Sequence, residues 1–96
     1  MPQQYAAALE QYLAGGGEAA LHHGYELGRS AIADGIGILE LIAVHRKAVA
    51  ALCLPSVSGA EAVRAAERST AFLAETLAPF EMVIRGVRDA NSALRH

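Results

Sequence analysis

A net charge of −2 and a pI near 6.0 over 96 residues leave no electrostatic footprint for gripping nucleic acid, and no basic amphipathic face for a membrane surface. A single cysteine, Cys53, excludes an internal disulfide, and no apolar run reaches the roughly 18 residues of a spanning helix. With no basic-plus-apolar leader either, the reducing cytoplasm is the expected setting. Abundant alanine, scarce proline and absent tryptophan favour helix throughout. A chain this short buries only about 60–65% of its unfolded surface, so a second copy or a partner would add materially to its stability.

Four helical segments are predicted in one all-α domain. The first, Gln3 to Ala14, sets Tyr5, Leu9, Tyr12 and Leu13 on one face, starts after Pro2 and stops at Gly15, Gly16 and Gly17. The second runs from Glu18 to Ala33 and ends at Asp34-Gly35. On it Gly24 and Gly28 make a flat strip, serving either packing within the bundle or docking of another chain. His22, Tyr25, Glu26 and Arg29 lie beside that strip within two turns. They are the candidate partner-binding residues, since tyrosine and arginine are enriched at binding hot spots. The other reading has Tyr25 packing inward and Arg29 pairing with Glu26. A third helix, Ile38 to Cys53, turns Ile38, Leu41, Ile42, His45, Ala48, Val49 and Leu52 inward and is closed by Pro55.

Ser58 and Glu61 form a capping box for the fourth helix. Along it Val63, Ala66, Thr70, Leu73, Leu77, Phe80, Ile84, Val87, Asn91 and Leu94 alternate steps of three and four. That is a heptad seam, with Val63 at an a position and Pro79 and Gly86 at c on the outer face. Asn91 at a favours a two-stranded pairing of fixed register. The expected architecture is a four-helix, dimerising bundle over residues 1–78. Residues 79–96 continue the last helix toward a coiled-coil linker, with Leu77, Phe80, Ile84, Val87, Asn91 and Leu94 as the dimer and linker seam.

Chemistry is sparse. Glu18, Glu26, Glu40 and Glu61 are followed three residues on by Leu21, Arg29, Ala43 and Arg64, so the Glu-x-x-His pairs of a bundle metal site are missing. His22 and His23 point about 100° apart on a helix and make poor ligands for one ion. His45, followed by Arg46 and Lys47, is the candidate for a histidine phosphotransfer protein, where cations would steady a phosphoryl group. Its place between Leu41 and Val49 favours a core or interface histidine instead. No nucleophile has an identifiable base, so neither a catalytic residue nor a metal, cofactor or small-molecule substrate is expected. Surface pairs are expected for Glu81 with Arg85, Arg85 with Asp89 and Glu61 with Arg64.

Two blocks carry a resemblance. One is Tyr25-Glu26-Leu27-Gly28-Arg29 through Gly35 and Leu39-Glu40-Leu41 to His45. The other is Phe72-Leu73, then Pro79-Phe80-Glu81-Met82 through Arg85-Gly86, Arg88 and Ala90-Asn91. Over nearly its whole length the chain resembles the N-terminal domain of RsbU-type phosphatases, regulators of bacterial general stress responses. The resemblance implies a small all-helical domain that dimerises and carries no chemistry of its own. It further implies docking of an RsbT-type protein kinase acting as a binding switch. A helical linker would pass the signal to a serine phosphatase acting on an anti-sigma-factor antagonist.

Overall fold

A computed structural model describes residues 1–52 and 59–94. The expectations placed on Cys53, Pro55 and Ser58 lie outside the described residues. Among those described there is no strand. The helices are α1 (Pro2–Gln11), α2 (Gly17–Ala33), α3 (Ile38–Leu52) and α4 (Ala60–Leu94).

At the first boundary α1 gives way to a wide turn, Tyr12–Gly16, which joins it to α2 across a kink. Gly15 at φ 99° and Gly17 at φ 62° redirect the chain there, in a region other residues rarely enter. The glycines thus turn the chain between α1 and α2, which follow one another with no longer loop between them. Arg68 of α4 fastens the turn: its guanidinium donates to the Tyr12 carbonyl at 2.8 Å and lies 5.0 Å from the Tyr12 ring centre. At its far end α2 closes with Gly35 N–H to the Ile32 carbonyl and Ile36 N–H to the Ala31 carbonyl.

Packing follows small residues. The largest interface joins α2 to α4, where Gly24 meets the Phe72 ring and Gly28 meets the Thr76 carbonyl and the Pro79 ring. The flat strip is thus taken up inside the bundle and is not a docking or dimer surface. On its other side α1 joins α3 through Tyr5, Ala8 and Leu9 against Leu41, His45 and Ala48. Tyr5 centres the core, edge-on to Phe72 with ring centres 5.3 Å apart.

The inward face of α4 also differs from expectation. Its buried residues are Ser69, Phe72, Thr76 and Pro79, one position before Thr70, Leu73, Leu77 and Phe80 of the expected seam. One residue is about 100° of rotation. Pro79 therefore lies inside, against Gly28, and not on the outer face where the heptad count puts it. The helix continues through it unbroken. Ser69 and Thr76 are tolerated inside because each hydroxyl donates to a carbonyl of its own helix, Ala66 at 2.9 Å and Phe72 at 3.1 Å. From Glu81 to Leu94 every residue of α4 is exposed. A 35-residue helix is about 52 Å long, close to the 55 Å long axis of the molecule, so this segment projects beyond the bundle.

Candidate interaction surface

The exposed stretch of α4 defines the first candidate surface. Leu77 and Phe80 are half-buried and pack against the core cluster. Beyond them Ile84, Val87 and Leu94 stand 46%, 57% and 84% exposed, with Asn91 open between them. All six residues of the expected seam share one stripe. Its lower end is supported by the bundle and its upper end is bare. A shallow depression lined by Ile38 of α3 with Leu77, Ala78, Phe80 and Ile84 marks the place where the stripe leaves the bundle.

The second surface spans α2 and α4. His22, Glu26 and Arg29 point outward in a chain of weak exposed pairs. His22 Nε2 lies 3.9 Å from Glu26 Oε1, and Arg29 Nη1 lies 3.6 Å from that same oxygen. Exposed pairs of this kind contribute roughly 0–1 kcal/mol, so these side chains are available to a partner at little cost. Tyr25 is half-buried in a groove with Leu21, Glu18 and Glu75, and its hydroxyl reaches the Met82 sulfur at 3.4 Å. The structure therefore brings the four α2 residues together and adds two from α4, Glu75 and Met82. Sequence reading passes over both because they occupy f positions of the heptad. Their signal is the c/g face containing Phe72, Thr76 and Pro79, which packs on α2 and carries its f neighbours with it. Of the expected surface pairs Glu81–Arg85 is present at 2.9 Å, while Arg85–Asp89 and Glu61–Arg64 are not formed.

His45 belongs to neither surface. It is 8% exposed, and its Nδ1 lies 2.6 Å from the Tyr5 hydroxyl, with the two rings edge to face at 86°. Burial holds its pKa below the ordinary histidine value of 6.5 and pushes the Tyr5 phenol upward, a nearby Thr76 hydroxyl pulling slightly back. A neutral ring hydrogen-bonded to the phenol is a structural element of the core. It does not present a nucleophile to an incoming phosphoryl group. Among the described residues no cluster of histidine, cysteine or carboxylate side chains could hold a metal ion. No described helix is long and apolar enough to cross a membrane.

The sequence model of one family, "Phosphoserine phosphatase RsbU, N-terminal domain", matches residues 3–83. The match takes in the bundle and ends where α4 becomes exposed on all sides. No curated protein and no solved structure matches the chain.

Proposed function

Because the chain belongs to the family of RsbU N-terminal domains, we propose that it is a non-catalytic regulatory module of partner-switching stress signalling. In this reading it homodimerises, binds an RsbT-type switch kinase and controls a phosphatase output through α4. The observation that carries the reading is the arrangement of α4. Its buried face holds the bundle, and beside that face Glu75 and Met82 complete the Tyr25 surface. The adjoining stripe of Ile84, Val87, Asn91 and Leu94 emerges bare just beyond. A ligand seated on the first surface touches the same rod that carries the second.

The kinase would dock on His22, Tyr25, Glu26 and Arg29 together with Met82. Tyr25 would give buried contact area, while Glu26 and Arg29 would exchange their weak mutual pairing for contacts with the partner. Exit helices from two copies would pair through Ile84, Val87 and Leu94, with the two Asn91 amides donating to and accepting from one another. Such pairing responds to a ligand only if paired and splayed states differ by a few kcal/mol, because a ligand shifts an equilibrium by its differential affinity alone. An a-position asparagine weakens the seam in the required direction.

Calorimetric titration of an RsbT-type kinase from the same genome into this domain tests the reading. Saturable binding is expected, weakened at least about tenfold by Tyr25→Ala or Arg29→Ala, the loss of one sizeable contact at about 1.4 kcal/mol. Absence of binding, or losses that merely follow loss of fold, would refute kinase docking on this face. The phosphotransfer alternative has a separate assay. An acid-labile phosphate on the chain that His45→Ala removes would restore it.

A further inference from the structure

We infer that α3 is an acid-releasable element: protonation of His45 undoes its docking onto α1 and uncovers the apolar root of the projecting α4 segment. The inference begins with how little holds α3. It packs mainly on α1, more lightly on α4, and has no comparable interface with α2. Its buried residues are Leu41, His45 and Ala48, so His45 sits in the middle of a narrow contact strip. The Tyr5–His45 bond is the one side-chain-to-side-chain hydrogen bond in the core among the described residues.

Tyr5 is fully buried and its phenol stays protonated, and its hydroxyl shares one hydrogen bond with His45 Nδ1. The buried ring is held neutral by desolvation. A second proton on the ring would leave a positive charge in an apolar strip, whichever nitrogen receives it. Among the described residues no carboxylate pairs with the ring, and Glu40 on α3 itself is exposed. From α1 the ring meets Tyr5. The one charged side chain of that helix, Glu10, is exposed, and the Met1 amine stands a turn before Tyr5. From α4 the neighbours of Tyr5 are Phe72 and Thr76, neither of which ionises, while Glu75 lines the groove beside Tyr25. The ionisable side chains His22, His23, Glu26 and Arg29 of α2 belong to its outer surface, and Arg46 and Lys47 on α3 itself are exposed.

Releasing α3 has a consequence at a distance. Ile38, its first residue, covers part of the depression formed by Leu77, Ala78, Phe80 and Ile84. Moving it away lengthens the exposed apolar stripe downward into the bundle. The folded-state pKa of His45 lies below 6.5, so docking is complete above that pH. It weakens as pH falls from there toward the folded-state value, by about tenfold in the docked-to-released ratio per unit of depression.

Native-state hydrogen exchange by NMR at about pH 7.5 and about pH 5.5, corrected for intrinsic exchange, tests this across the histidine range. The expected result is a selective loss of protection of α3 amides at the lower pH, relative to α2 and α4, reaching at most about tenfold for one histidine over this range. The His45 ring resonances should titrate below the ordinary value. In His45→Gln, neutral at both pH values, the selective loss should vanish. Tyr5→Phe should lower α3 protection at both pH values and keep the acid dependence, which preserves the test should the glutamine variant fail to fold. Uniform loss of protection across all four helices, acid sensitivity surviving in His45→Gln, or titration of His45 at or above 6.5 would each overturn the inference.

Discussion

Replacing Gly28 by alanine probes the contact on which the bundle depends. On a free helix surface the change stabilises by about 1 kcal/mol, because alanine surrenders less backbone freedom than glycine. Here the added methyl would collide with the Thr76 carbonyl oxygen, and would lie 3.0 Å from the Thr76 carbonyl carbon and 3.2 Å from Pro79 Cγ. None of these atoms is the loose end of a side chain. Two are backbone and the third is a ring closed onto backbone, so α2 and α4 must separate to admit the methyl. Overpacking of this kind costs about 1–3 kcal/mol, at the upper end where backbone has to move. After the propensity gain is subtracted, a net loss of about 1–2 kcal/mol remains, roughly 5–15 °C in Tm for a domain of this size. Gly24→Ala meets the edge of the Phe72 ring at 2.8 Å, a side chain that can yield slightly, and should cost less. Gly86→Ala, with nothing within 4 Å, should stabilise by about 1 kcal/mol. Urea denaturation followed by circular dichroism ranks the three variants. If Gly28→Ala stabilised the domain as Gly86→Ala does, α2 and α4 would not be in backbone contact and the packing described above would be wrong.

His45→Ala should destabilise by about 1–3 kcal/mol at neutral pH, through a cavity and an orphaned Tyr5 hydroxyl; an unchanged melting curve would mean that the ring is not in the core. Between about pH 8 and about pH 5.5 the wild-type domain should lose stability as pH falls below 6.5, since the unfolded chain binds the His45 proton first, and His45→Gln should show a smaller loss. Sedimentation should find a dimer at micromolar concentration, and Asn91→Val should tighten it while loosening its choice of register, visible as mixed oligomers. Cysteine placed at Asn91 in a Cys53→Ser background should cross-link two copies; no cross-link with or without a kinase would remove the paired exit helices.

Most of the helical content was legible because apolar residues at 3.6-residue spacing leave little alternative in an alanine-rich chain. Of the α3 residues that periodicity turns inward, Leu41, His45 and Ala48 are buried, Ile42, Val49 and Leu52 are half-buried, and Ile38 at the helix start is exposed; the histidine could be read as buried from its neighbours alone. The junction at Tyr12–Gly16 was legible in part. Three glycines announce the change of direction that Gly15 makes, but the hold of Arg68 of α4 on the Tyr12 carbonyl is a contact between helices that periodicity cannot show. Met82 and Glu75 were hidden for a related reason. Their place beside Tyr25 depends on which face of α4 meets α2, and that is decided between helices and not within one.

The choice of face on α4 holds the clearest physical lesson. Hydrophobic periodicity selects Leu73, Leu77, Phe80, Ile84 and Val87, yet the stripe that enters the bundle is Ser69, Phe72, Thr76 and Pro79. Counting apolar residues ranks these stripes in the wrong order because it ignores shape. The Gly24–Gly28 strip has no side chains to fill a gap, so it needs a partner helix that can lie flush. The Phe72 ring covers Gly24, while at Gly28 a threonine whose hydroxyl is satisfied on its own backbone and a proline ring let the two helices lie close. Close approach of α2 and α4 thus leaves the greasier stripe at the margin of the bundle and then in open solvent, over residues that include Ile84, Val87 and Leu94. Exposing so much contiguous apolar surface on a helix while burying hydroxyls is unfavourable for an isolated domain, and such patches mark interaction sites. One helix with two differently shaped stripes is suited to serve two interfaces at once. One is fixed by glycine and proline, and the other stands exposed. Because the two stripes are only one residue apart in register, any partner that rotates or bends α4 against α2 necessarily re-aims the open one.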